Sequence, residues 1–176
     1  MANETRLRLN RRGSWALEHA GELPGARPTR RKPLIRLWIY STEGVDTSWT
    51  LLSPLWLLGP GTPVVREVLW THGQDEHGLE SNVKKRDGDR GDEPTLQVRD
   101  MEISAWDQDY CRDVASRLTV STLRTPPAVP RWSCSGIEGY GSLVSLRIEW
   151  RGAGPLEWSD VIRRVTELRR RMTGVA

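Results

Sequence analysis

SLVSLRIEWRGAGPLEWSDVIRRVTELRRRMTG, residues 142–174, changes its hydrophobic period once, and that change decides the fold class. At first Val144, Leu146, Ile148 and Trp150 occupy every second position, with Ser145, Arg147 and Glu149 between them, as in a strand with one buried face. After a Gly/Pro turn, Trp158, Val161, Ile162, Val165, Leu168 and Met172 recur at three- and four-residue spacing, the period of an amphipathic helix. Pro155 suits a first helical position, where its missing N–H costs nothing. Glu157 and Asp160 stand at the positive end of the helix dipole, Arg169 to Arg171 at the negative end, and Gly174 closes the element. A strand running directly into a helix that must cover it points to an α+β arrangement, helix packed on sheet.

The same reading extends upstream. RWSCSGIEG (131–139) precedes Tyr140-Gly141 and pairs with the following strand as a hairpin, while TPPAVP (125–130) is a breaker. Ser104 caps a helix with Asp107 three residues on, and Trp106, Tyr110, Cys111, Val114 and Leu118 fall on one face of it. LIRLWIYS (34–41), PVVREVLW (63–70) and TLQVRDMEI (95–103) read as strands, the last with a slip between Val98 and Met101 that suggests a bulge. SWTLLSPLWLL (48–58) contains Pro54, which predicts an edge strand or a break. TRLRLNRRGSWALEH (5–19) alternates at Leu7 and Leu9, turns at Arg12-Gly13 and resumes at Trp15 and Leu17, predicting a short hairpin. The expectation is a single α+β domain over 1–176: a mainly antiparallel sheet with two amphipathic helices, about 104–118 and 155–172, packed on one face. A basic Pro/Gly linker at 21–33 and a long charged surface loop at 71–94 complete it.

Composition limits the function classes. The 176 residues suffice for one buried core, and a net charge of +3 creates no global field that demands an anionic partner. No apolar run approaches the length of a membrane span, and no hydrophobic segment follows the charges of MANETRLRLNRRG, so a cytoplasmic protein is expected. Cys111 and Cys134 are too few for a disulfide framework or a four-thiolate zinc site. The chain carries 9 Trp and no Phe, and 3 of its 26 basic residues are Lys. A GC-rich coding sequence produces this bias, and so does selection for guanidinium forks and indole platforms at an interface.

The densest set of chemical groups is WTHGQDEHGLE (70–80), with His72, Asp75, Glu76, His77 and Glu80. Five-residue spacing of the two histidines places them on opposite faces of a strand and offset on a helix, unlike helical metal-binding pairs, and Gly73 and Gly78 deny the stretch a rigid element. It reads as a solvated loop, with no metal and no cofactor expected. Arg90-Gly91-Asp92 is a coincidental tripeptide, and no nucleophile elbow, dinucleotide-binding turn or phosphate-loop lysine is present. Cys134-Ser135-Gly136 has no histidine near it in sequence, and Cys111 fits a buried helical stripe. No catalytic residue is assigned. Two basic clusters stand as candidate binding residues: Arg27, Arg30, Arg31 and Lys32 in the linker, and Arg163 and Arg170 on the exposed side of the last helix.

From Gly136 and Tyr140 through SLRIEWRGAGPLEW into VIRRVTELR, the chain resembles small standalone bacterial α+β proteins. In these a hairpin strand ends in Trp, a Gly-x-Gly-Pro turn follows, and a Trp opens the last helix; some resemble immunity proteins that neutralise toxin partners. The resemblance covers roughly residues 131–172, implies protein binding without catalysis and carries over no site residues. The element order also resembles plant-virus silencing suppressors that bind small RNA, by order alone. The expected function is therefore a non-catalytic cytosolic protein-binding module of immunity-like or accessory type, with RNA or DNA binding through the Arg clusters and exposed tryptophans as the alternative. The partner, the pathway and the oligomeric state are not encoded in any motif.

Overall fold

The computed structural model describes residues 2–23, 31–41, 43–54, 62–75, 77, 93–116, 134–140, 145–154 and 156–174. In chain order these form helix α1 (Ala2–Glu18), a 3-10 turn (Ala20–Glu22), strands β1 (Arg31–Tyr40), β2 (Asp46–Pro54), β3 (Val64–Trp70) and β4 (Leu96–Glu102), and helix α2 (Ala105–Ser116). Strands β5 (Cys134–Tyr140) and β6 (Ser145–Arg151), a second 3-10 turn (Leu156–Trp158) and helix α3 (Ser159–Thr173) follow. All six strands join one antiparallel sheet in the order β4-β3-β2-β1-β5-β6. The α+β class and the placement of α2 and α3 on one face agree with the sequence.

Both faces of the sheet are covered, which explains why the central strands read as nearly continuous apolar runs. On one face Ile35, Leu37, Leu51, Val65, Ile137 and Ile148 pack against Cys111 of α2 and Val165, Leu168 and Met172 of α3. On the other, Trp38, Tyr40, Val68 and Trp70 pack against Ala16, Leu17, Ala20 and Leu23. The last helix begins at Ser159, after the 3-10 turn and later than the expected 155; its buried Val165, Leu168 and Met172 keep the expected stripe, and Gly174 closes it in the left-handed region at φ 66°. Ser104 accepts the Asp107 N–H at 3.0 Å and donates to its carboxylate, the cap expected for α2.

The N-terminal stretch is a helix and not the expected hairpin. Its buried positions are Leu9, Gly13, Ala16, Leu17 and Ala20, a helical spacing, whereas Leu7 and Trp15, which supported the alternation, are exposed. Gly13 matters here because a Cβ on it would lie 2.4 Å from the Trp70 ring. Only a bare helical backbone can rest on that indole.

Pro54 closes β2, in keeping with the expected break, while β2 itself lies inside the sheet between β1 and β3 and is not an edge strand. Two other expectations change. Strand β4 pairs with β3 in unbroken register from Leu96 to Glu102, and the irregularity falls instead between Pro33 and Ile35 of β1. The linker ends earlier than expected, since Arg31 to Pro33 already belong to β1. Both edge strands carry charge, Arg99, Asp100 and Glu102 on β4 and Arg147, Glu149 and Arg151 on β6, which opposes edge-to-edge association.

Leu168 is fully buried in the α3 layer. Leu168→Ala is expected to lower unfolding stability by about 2–5 kcal/mol through lost burial and the remaining cavity. Urea unfolding checks this, and a loss below about 1 kcal/mol would show that α3 is not packed as described.

Candidate functional site

Buried charge is concentrated on the α1 face of the sheet. Reading across neighbouring strands, Asp100, Arg66, Thr50, Arg36, Glu138 and Arg147 stand opposite one another in a single row over all six strands. Arg66 is 0% exposed and Arg36 1%. Arg66 donates from Nε and Nη2 to the two oxygens of Asp100, both at 2.7 Å, and Arg36 donates from Nη2 to Glu138 at 2.9 Å. Buried guanidinium groups persist only with such acceptors.

One further nitrogen of each, Nη1, turns to the end of α1, where helix carbonyls lack intrahelical partners. Arg66 Nη1 donates to the Ala20 carbonyl at 3.0 Å and Arg36 Nη1 to the Leu17 carbonyl at 3.4 Å, which also accepts from Ser48 Oγ at 2.9 Å. The positive groups thus meet the negative end of the helix dipole. Beside this row Trp38 meets two cations, with Arg36 Cζ 4.6 Å and Arg147 Cζ 4.9 Å from its ring centroid. Gly136 makes room for it, because a Cβ there would lie 2.1 Å from the indole.

A cavity of about 420 Å³ opens between the end of α1 and this row, lined among others by Glu18, His19, Glu22, Thr50, Glu138 and Tyr140. Tyr140 donates to Glu138 at 3.0 Å, and burial pushes its pKa up to about 12. The sequence reading did not single out this region. The available signal was a single Arg at an inward-facing position of two apolar runs, IRLWIY and VREVLW.

A second feature lies on the opposite face, at the outer surface of α2 and α3. Trp106 and Tyr110, one helical turn apart, stack with ring centroids 6.2 Å apart. Arg171 of α3 sits over both rings, its Cζ 4.7 Å from Trp106 and 4.1 Å from Tyr110. Arg171 is held in turn by Glu167 at 2.7 Å and Asp107 at 3.3 Å. Trp106 is 65% exposed, so it does not share the buried face with Cys111 as expected. The two are five residues apart, about 140° around the helix, and the contact with the sheet centres on Cys111 and Gln108. Val114 and Leu118 lie outside the described side chains.

The residues chosen from sequence fare differently. Arg163 and Arg170 are exposed as expected, but each is engaged by an acidic neighbour, Asp160 at 3.3 Å and Glu167 at 2.8 Å. Arg27 and Arg30 lie outside the described residues, as do the side chains of Arg31 and Lys32. Within the 70–80 cluster, residues 72–75 form a helical turn and not an open loop. Asp75 accepts from the Trp70 indole at 2.8 Å and from the Thr95 N–H at 3.0 Å, tying the exit of β3 to the entry of β4. His72 faces Asp46 at 3.6 Å, His77 is exposed, and Glu76, Glu80 and most of 71–94 lie outside the described residues. Among the described residues no group of His, Cys, Asp or Glu is arranged to hold a metal ion, and no helix is long and apolar enough to cross a membrane. Burial pushes the Cys111 thiol up to about 12 and raises that of Cys134, which disfavours either as a thiolate nucleophile. Comparison with protein-family models, curated proteins and solved structures gives no match to this chain.

Two measurements follow from these charges. Asp100→Ala leaves a fully buried guanidinium without its bidentate partner and should cost about 3–5 kcal/mol. Arg66→Met leaves only the partly exposed Asp100 and should cost less, and the double variant should be more stable than Asp100→Ala alone. Equal losses in the two single variants by urea unfolding would contradict the burial asymmetry. For the outer patch, hydrogen bonds from Arg170, joined by Arg171, hold the Glu167 pKa at about 2. Its unfolded value is about 4.3, so its contribution to stability is present above that pH and is lost as pH falls towards 2. Glu167→Gln should flatten the stability–pH curve in that window; an unchanged curve would show that the cluster does not couple to folding.

Proposed function

We propose that the protein is a non-catalytic protein-binding module, acting in the cytoplasm in an accessory or immunity-like role, with Trp106 at the centre of its contact surface. The observation that carries this reading is an exposed indole held in place by a neighbouring ring and a doubly anchored guanidinium. Trp, Tyr and Arg are the residues that dominate binding energy at protein interfaces. Here the three are adjacent, and little side-chain freedom remains to be lost on association.

The charges around the patch support a protein partner over nucleic acid. Asp107, Glu167, Arg170 and Arg171 alternate in sign within it, and Arg163 is paired with Asp160. A phosphate backbone needs a surface where cations prevail. The fitting partner is a folded protein with an apolar recess for the indole and a rim bearing both charge signs.

Affinity capture from the native organism, with and without nuclease, tests the reading. A protein partner should be retained after nuclease treatment and lost with Trp106→Ala. At a truly central contact that substitution weakens binding by at least about 2 kcal/mol. Trp106 is mostly exposed, so the same variant should keep its melting temperature within the small change typical of surface positions. A partner released by nuclease, or one held equally by Trp106→Ala, would overturn the proposal.

A further inference from the structure

The outer face of α1, on the other side of the sheet from Trp106, carries an excess of cations. Between Ala2 and Glu18 the helix holds Arg6, Arg8, Arg11 and Arg12 against Glu4 and Glu18. Leu9, Gly13, Ala16 and Leu17 are buried against the sheet, which leaves Leu7, Arg8, Arg11, Arg12 and Trp15 exposed. Leu7 and Trp15 are 51% and 41% exposed and stand two turns apart, with Arg11 one turn from each. Arg8 is paired with Glu4 at 2.7 Å, whereas Arg11 has no carboxylate partner among the described residues.

Trp15 is held and not loose. It stacks on His19, one turn further along, with ring centroids 5.0 Å apart and planes within 9° of parallel. The His19 ring is fixed in turn by a 3.0 Å contact between its Nδ1 and the Trp15 carbonyl. An indole backed by a parallel ring, and still exposed, is a platform on which a third flat ring can stack. A nucleobase is such a ring, and stacking on aromatic side chains together with cations along the backbone is how single strands are bound. In a duplex the base faces are already covered by their neighbours, so only an unpaired strand offers both contacts. A bilayer fits less well, because the sheet takes the apolar face of α1 and only Leu7 and Trp15 remain to insert.

We propose that the outer face of α1 binds single-stranded nucleic acid, an unpaired base stacking on Trp15 and the adjoining phosphate meeting Arg11, with Arg12 adding positive potential beside it. Recognition rests on stacking and backbone charge, without readout of base edges.

Fluorescence anisotropy with short labelled strands of oligouridylate and oligothymidylate tests this at low ionic strength, against a duplex of the same length, poly-L-glutamate and phosphatidylglycerol vesicles. Either strand should bind more tightly than the duplex, with an affinity that falls as salt rises, and the tighter of the two tells RNA from DNA. Trp15→Ala should weaken binding by at least about fivefold, the effect of one lost stacked base. Arg11→Gln should lower the slope of log affinity against log salt by about 0.7, the share of one phosphate on a single strand. Both positions are exposed, so both variants should keep the native circular dichroism spectrum. Trp106→Ala should bind the strands as the unaltered chain does, which separates failure of this face from failure of the protein-binding surface. Duplex bound as tightly as single strand, displacement of the strands by poly-L-glutamate at equal charge, binding to the vesicles alone, or affinity and salt slope unaltered in both α1 variants would each overturn the proposal.

Discussion

Two arginine side chains buried between α1 and the sheet constrain most of this molecule. A guanidinium has five N–H donors and cannot shed its charge, so each buried one requires several acceptors at fixed positions. For Arg66 these come from β4 and from the turn after α1; for Arg36 they come from β5 and from α1 itself. Register between strands is thereby coupled to the position of the helix above them. A slip of one residue in β4 would put Asp100 on the wrong face and leave Arg66 without its carboxylate. An apolar pair in the same place would fill the space but would tolerate more than one arrangement.

The two helical layers consequently divide the work. The α2 and α3 side is bound by apolar burial and leaves its outer surface free to carry a rigid aromatic group. The α1 side is bound at one end by hydrogen bonds and charge, and it is there that the packing stays open enough to leave a cavity. A close-packed apolar layer has few voids, whereas a layer of long polar side chains fills space less completely.

Legibility in the sequence followed the strength of periodicity. The strands and α3 were readable because their buried positions hold large apolar residues at unambiguous spacing, from Ile35 to Trp38 and from Val165 to Met172. Helix α1 is hidden in the sequence because Gly13, Ala16 and Ala20 bury a face that carries almost no hydropathy, while the conspicuous Leu7 and Trp15 are exposed. The exposure of Trp106 is equally hidden, because a helical stripe that includes both Tyr110 and Cys111 spans too wide an arc to locate its own centre. The buried row escaped detection for another reason: Arg66 meets its carboxylate 34 residues away and Arg36 meets its own 102 residues away. Only the intrusion of a single Arg into each apolar run was locally visible.

The strand order has a consequence for how the chain reaches this state. Strand β1 is central, yet one of its two neighbours, β5, is supplied only after residue 134, once β2, β3, β4 and α2 have been made. During synthesis the β1–β4 meander can form first, because its strands pair with their sequence neighbours. Until β5 arrives, β1 presents an open hydrogen-bonding edge, and Arg36 stands there without Glu138. That charge makes the unfinished edge a poor template for a foreign strand. The same residue that later locks the register guards the half-made sheet.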